Sequence, residues 1–182
     1  MKYYKEIKLK DGRTCVLRNG DFDDGQAVFD IFMLTHEQTD FLLSYPEENS
    51  FNASEEADYL REKTDSANEI EMIATIDGKV VACAGIECVG KKYKTRHRAD
   101  FGISVDKNYW RLGIGNALTA ACIECAKKAG YTQLELNAVA ANSAAVALYK
   151  KHGFVEYGRN PRGFNSRVTG YQEVVYMRLE LD

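Results

Sequence analysis

Residues Ile103 to Gly130 read ISVDKNYWRLGIGNALTAACIECAKKAG, and this stretch decides the fold. A short β-branched run stops at Asp106-Lys107-Asn108. Beyond it, apolar residues recur at Ile114, Ala117, Leu118, Ala121, Cys122, Cys125, Ala126 and Ala129. Spacings of three and four put these side chains on one face of a helix, which Gly130 closes by adopting a positive φ. Between the two lies Arg111-Leu112-Gly113-Ile114-Gly115-Asn116. The pattern predicts a strand, a turn with two glycines, and a helix.

Such a turn suits an anion. The first N–H groups of a helix lack partners inside it and carry the positive end of its dipole. Glycines at alternate positions remove the Cβ atoms that would hold a diphosphate away, and Arg111 adds a permanent cation. A P-loop needs Lys and then Ser or Thr after its last glycine, whereas Asn116 and Ala117 follow Gly115. The dinucleotide fingerprint needs a small residue where Leu118 stands, and it belongs near the start of a βαβ unit. The remaining candidate resembles the acetyl-CoA signature of the GNAT superfamily of acyl-CoA N-acyltransferases, Gln/Arg-x-x-Gly-x-Gly/Ala. Trp110 occupies its first position, a departure that leaves the charge to Arg111. Read alone, the two glycines also fit simple close packing of the helix.

Working outward, 182 residues predict one domain, 1–182, able to bury roughly two-thirds of its unfolded surface. A hydrophobic share of 45% and a charged share of 28% describe an ordinary globular chain, and a net charge of -3 argues against nucleic-acid binding. No apolar run approaches the roughly 20 residues that span a bilayer, and no secretory segment follows Met1, so a cytoplasmic location is expected. Five cysteines without an export signal disfavour a disulfide framework. Cys122 and Cys125 form a CxxC on the apolar helix face, where buried small side chains are the simpler reading. The histidines at 36, 97 and 152 are too scattered to complete a zinc site, and no metal is expected.

Arg13 to Arg18 reads as the first strand, and the acidic run Asp21 to Asp24 as a helix cap. Helices are expected from about Asp24 to Glu37 and from about Glu55 to Thr64, the second announced by Asn52 and Ser54. Between them Phe41, Leu42, Leu43, Tyr45 and Phe51 form either a core lid or a substrate wall. Asp77-Gly78 joins Met72–Ile76 to Lys79–Cys88 as a hairpin. The basic stretch Lys91 to Arg98 is by default a solvated connection, with steering of CoA phosphates or of an acidic substrate as the sharper reading. Leu134–Val139 alternates as a strand. Ala144–His152 makes a short helix capped by Asn142-Ser143 and closed by Gly153. Phe154–Tyr157 and Tyr171–Leu181 complete the strands, with Pro161–Gly170 read as a mobile loop.

That order of elements is similar to the GNAT fold over nearly the whole chain. A second block carries the resemblance, from Leu136 to Phe154, in which Asn142, Tyr149, Gly153 and Phe154 match family positions. The resemblance implies an α+β (α/β three-layer) fold: a mixed, mostly antiparallel central sheet, helices on both faces and a splayed central strand pair. It implies acetyl-CoA as co-substrate, held by Arg111, Leu112, Gly113, Ile114, Gly115 and Asn116. The pantetheine arm is then met by Ile103, Ser104, Val105 and Asn142, although those strand side chains also serve as sheet core.

The chemistry adds requirements of its own. A lysine-like amine with a pKa near 10.4 is about 99.9% protonated at pH 7 and must lose a proton before it attacks a thioester. The departing thiolate gains from a nearby OH. Tyr149 is the candidate acid, with simple packing of its ring as the alternative. Asp100 is the preferred base, with Glu87 or a water chain as alternatives; Asn137 stands where some relatives carry Glu. The ending Tyr171–Met177 resembles that of relatives acting on small amines or protein N-termini, and Glu173 within it suits a cation. The expected function is acetyl transfer to a primary amine of a small molecule or of a protein or peptide, by direct attack in a ternary complex. The alternative is a non-catalytic acyl-CoA-binding sensor or partner module. Pairing of the last strands across subunits in this fold makes a homodimer a further expectation.

Overall fold

The computed structural model describes residues 1–181. The elements are β1 (Tyr4–Lys8), β2 (Thr14–Asn19), α1 (Gly25–Gln38), α2 (Ala53–Asp65), β3 (Ile70–Ile76), β4 (Lys79–Cys88) and β5 (Arg98–Val105). They continue with α3 (Ile114–Lys128), β6 (Gln133–Val139), α4 (Ser143–Lys151), β7 (Val155–Ser166) and β8 (Gly170–Glu180). The strands form one sheet in the order β1-β2-β3-β4-β5-β6-β8-β7. Only the β5–β6 pair is parallel.

Alternation along the strands divides the core between two faces. Met72 packs with Leu118 and Cys122 of α3, whereas its neighbour Ile73 packs with Val28 and Ile31 of α1 and Leu60 of α2. Leu60, Ile73, Leu118 and Cys122 have no exposed surface. Burying a side chain of leucine size contributes roughly 1.5–3 kcal/mol. Helices therefore cover both faces of a mostly antiparallel sheet, as expected.

The seam that matters is β5–β6. Register runs only from Arg98↔Gln133 to Asp100↔Glu135, after which the strands part. On its other side β5 stays paired with β4 as far as Val105↔Ala82. The backbone edge from Phe101 to Ser104 therefore faces open space, which is the expected splay, and the Val105 carbonyl beyond it is taken by the Trp110 indole. Arg98 holds the closed end through a bidentate pair with Glu135, with Nη2 to Oε2 at 2.6 Å.

Local sequence accounts for the boundaries. Asp21 and Asp24 form a reciprocal capping box ahead of α1, and Arg18 grips Asp24 at 2.6 and 2.7 Å. Asn52 caps α2, accepting from the amides of Ser54 and Glu55. Asp77 and Gly78 both take positive φ, 51° and 79°, as the tight hairpin requires.

Three sequence expectations need correction. Arg13 to Arg18 is not the first strand, because β1 precedes it; its YKEIK sequence is polar and mostly exposed at the sheet edge, so it lacks the apolar alternation that marks a strand. The strand after α4 does not stop at Tyr157, and residues 161–166 are not a mobile loop but the second half of β7, which pairs with β8 again from Phe164 to Ser166. Pro161 is tolerated because the register shifts between Asn160 and Phe164 and no ladder N–H is needed there.

Candidate active site

Two clefts meet at the splay. The first, about 400 Å³, is lined by Ile103, Ser104 and Val105, by Trp110, Arg111, Ile114 and Gly115, and by Asn142, Leu148 and Tyr149, with Thr35, Thr39, Phe41 and Leu42 opposite. The second, about 630 Å³, shares Leu42, Ile103 and Ser104 with it and runs along the α1–α2 face of the sheet.

The glycine turn is built for an anion. Arg111 and Gly113 have φ of 65° and 104°, which turns the chain sharply into α3. For a non-glycine residue such as Arg111 that backbone stores strain on the order of 1–3 kcal/mol. Among the described residues no backbone N–H from Arg111 to Asn116 finds an acceptor. A Cβ at Gly113 would meet nothing within 4 Å, so the approach to these amides is clear. Trp110, at the deviant first position of the signature, donates its indole N–H to Val105 O at 2.7 Å and fixes the strand end to the turn.

The sequence-predicted residues fall into three sets. Ile103, Ser104, Val105, Arg111, Ile114, Gly115, Asn142 and Tyr149 line the first cleft together. Leu112, Gly113 and Asn116 are not among its walls: Leu112 packs on the core and its carbonyl accepts from Lys10, while Asn116 Oδ1 accepts from Lys151 Nζ at 2.8 Å. Asp100 lies in the second cleft, with Glu87, Glu56 and Glu71.

Tyr149 is 8% exposed, its ring set edge-on to Phe101 and Phe154 at 6.1 and 6.0 Å between centroids. Burial pushes its pKa up to about 12, so the phenol stays protonated, and its OH makes no hydrogen bond within the protein. Asn142 Oδ1 caps α4 by accepting from Ala145 N at 3.3 Å. Burial, together with the nearby Glu135 carboxylate, raises the Asp100 pKa above the usual range. Burial and the charges of Glu56 and Glu87 raise Glu71 to about 8.

The segment between α1 and α2 walls both clefts, Phe41 and Leu42 facing the first and Leu42, Leu43 and Phe51 the second. Its aromatic content signalled that role in the sequence. Glu56 and Glu71 carried no such signal, since Glu56 is one of several carboxylates on a polar helix and Glu71 stands two residues after Glu69 at the start of a buried strand. No residue from Gly90 to Arg98 lines either cleft.

The acetyltransferase (GNAT) family model matches residues 28–154. The chain is similar to the L-amino acid N-acetyltransferase AaaT of Escherichia coli (strain K12), 33% identical over 108 residues, which are 59% of this chain and 65% of that protein. It is also similar to the [ribosomal protein bS18]-alanine N-acetyltransferase of the same strain, 36% identical over 81 residues, 44% of this chain and 54% of that one. The matches thus span between about half and just under two-thirds of these curated relatives' lengths. Among solved structures, a GNAT-family acetyltransferase from Streptococcus pneumoniae superposes with a TM-score of 0.87 at 28% identity, covering 91% of this chain and 99% of that one. The structure of yncA, a putative acetyltransferase from Salmonella typhimurium with its cofactor acetyl-CoA, shares the fold at a TM-score of 0.80 and 17% identity, over 92% and 94% of the two chains.

Proposed function

The chain belongs to the acetyltransferase (GNAT) family, and from that premise we propose that it passes acetyl from acetyl-CoA to a primary amine by direct attack in a ternary complex. One observation carries the reading: Arg111, Ile114 and Gly115 of the turn with its unpartnered amides, the open β5 edge and the Tyr149 phenol all border one cleft.

Acetyl-CoA is the acyl-donating substrate. Its diphosphate suits the turn amides, with the Arg111 guanidinium as counter-ion. The amides of its pantetheine arm suit the open edge of Ile103, Ser104 and Val105, as an added strand would, although the Val105 carbonyl is already engaged by the Trp110 indole. Asn142 keeps its Nδ2 group available beside that edge, since only its Oδ1 is engaged in capping.

The amine approaches from the second cleft, where Asp100 takes the proton, directly or through water. Its raised pKa makes it a better proton acceptor than an ordinary aspartate. Tyr149 serves the leaving sulfur. A phenol with a pKa of about 12 is a weaker acid than a thiol near 8.5, so full proton transfer even to the freed thiolate is uphill by roughly 5 kcal/mol. Tyr149 therefore donates a hydrogen bond to the sulfur as the C–S bond breaks, and the thiolate collects its proton from solvent.

No cysteine lines the first cleft, and Cys83 in the second is held as a neutral thiol by burial. Direct attack follows from that lack of an activated nucleophile. All five thiols are free, which agrees with a reducing compartment, and we place the enzyme in the cytoplasm.

Tyr149→Phe tests the reading. Turnover, followed as CoA-thiol release, falls about 100-fold, in the range of a lost hydrogen bond to charge that develops in the transition state, while acetyl-CoA affinity stays within about twofold. A non-catalytic acyl-CoA sensor has no turnover to lose, and thiol release absent from the unaltered protein across a broad amine panel rejects the enzyme.

A further inference from the structure

The second cleft carries chemistry that the transfer step alone does not need. On the sheet face covered by α1 and α2, Glu71, Gly85 and Gly102 stand side by side on β3, β4 and β5. The two glycines leave a furrow. Glu71 Oε2 fills the space where a Cβ on Gly85 would stand, and above Gly102 no atom lies within 4 Å. One strand step away Glu87 faces Asp100.

From the helical side comes Glu56 on α2, only 7% exposed, lining the cleft, its carboxylate without a hydrogen bond to the protein. Burying a carboxylate unpaired is costly and points to a cation that is absent from the isolated chain. Among the described residues Glu71 likewise finds neither hydrogen bond nor ion pair, whereas Glu87 is already engaged, by Lys63 Nζ at 2.7 Å and Tyr59 OH at 2.7 Å. No Lys or Arg lines the cleft, and the remaining titratable groups there are Cys83, a neutral thiol, and His36, whose pKa burial lowers.

Two further features set the shape of the occupant. Among the described residues no three of His, Cys, Asp and Glu gather closely enough to hold a metal ion, so the carboxylates are spread along the cleft. The wall between them is apolar and aromatic, including Phe32, Leu43, Phe51 and Tyr59. Spaced carboxylates joined by greasy wall match ammonium groups joined by methylenes, and an arriving ammonium displaces the proton that burial keeps on Glu71. A free α-amino acid would bring its own carboxylate among like charges with no cation to receive it.

We propose that the acceptor is an aliphatic diamine or polyamine, whose second ammonium is held by Glu56 and Glu71 beside the Gly85–Gly102 furrow while the first reaches the thioester. This rests on the transferase reading, since it names the amine that the same site acetylates. The cation site itself is testable without turnover.

Calorimetry on the CoA-bound protein compares 1,4-diaminobutane with n-butylamine, equal in carbon chain but one charge short. The diamine binds at least about tenfold tighter, as one charge-assisted contact gives. Glu56→Gln and Glu71→Gln each bring the two ligands within about threefold while CoA affinity is retained. Glu71→Gln supplies the second variant should Glu56→Gln fail to fold. Equal affinity for the two amines overturns the proposal, as does tighter binding of L-alanine or of an alanine-initiated neutral peptide. Thiol release with the same panel separates the two readings: if no acceptor turns over while the binding pattern holds, the transferase reading falls and the cation site stands. If L-alanine or the peptide turns over faster than the diamine, the transferase stands and the diamine proposal falls.

Discussion

Asp40 Oδ2 accepts a 2.7 Å hydrogen bond from Ser166 Oγ, joining the segment after α1 to the tip of the β7–β8 hairpin. Thr169 Oγ1 at 3.0 Å and Gln172 Nε2 at 2.9 Å donate to the same oxygen. Arg167 N donates to Tyr45 OH at 2.8 Å nearby. The wall that carries Phe41, Leu42 and Leu43 is thereby pinned to the last two strands. Asp40→Ala removes the shared acceptor of Ser166 and Thr169, while Gln172 keeps the Asp40 backbone carbonyl, and costs on the order of 2–3 kcal/mol. Limited proteolysis should then cut within residues 161–170, and the acceptor KM should rise about tenfold with kcat nearly unchanged. Unaltered protease resistance would contradict the pinning role.

Gly102 offers a substitution that separates stability from binding. Its backbone is ordinary strand, and a Cβ there meets open space, so Gly102→Val introduces no clash. Replacing glycine inside a strand removes an entropic cost of roughly 0.5–1 kcal/mol, so the melting temperature should hold or rise. The new side chain projects into the acceptor furrow. The amine kcat/KM should fall at least about tenfold, with CoA affinity within about twofold. Loss of CoA binding instead would mean that the two clefts are not divided as described.

Glu71 predicts a pH dependence of stability with a definite sign. Its folded pKa is about 8 against 4.5 for the ordinary side chain, so between those values the folded chain holds a proton that the unfolded chain has lost. Stability contributed by this group is fully present below pH 4.5 and is lost as pH rises to about 8. Glu71→Gln keeps the neutral form at every pH. Melting curves at pH 5 and pH 9 should show the variant gaining on the unaltered protein by a few degrees at the higher pH. A gain at pH 5 instead would refute the assignment.

The sequence made the anion corner legible because its chemistry is local: a strand, two glycines and a helix lie within one stretch, and Asn142 to Gly153 follow as a second. Asp77-Gly78 and Asn52 were readable for the same reason, since a turn or a cap is fixed by neighbours in the chain. The hairpin arm at residues 161–166 was not readable. Proline and glycine normally interrupt a strand, and only the register shift against β8 accommodates them. Glu56 and Glu71 were hidden because their meaning is tertiary: α2 and β3 come together across Gly85, and no spacing in the chain records that approach. The edge strand β1 escaped notice because nothing packs on most of its side chains.

The most direct test of the account is calorimetric titration with CoA. The account predicts one CoA per chain, with affinity that declines as salt is raised and drops about tenfold in Arg111→Ala, the scale of one charge-assisted contact to phosphate. Absence of binding, or binding indifferent to both salt and Arg111, would contradict it.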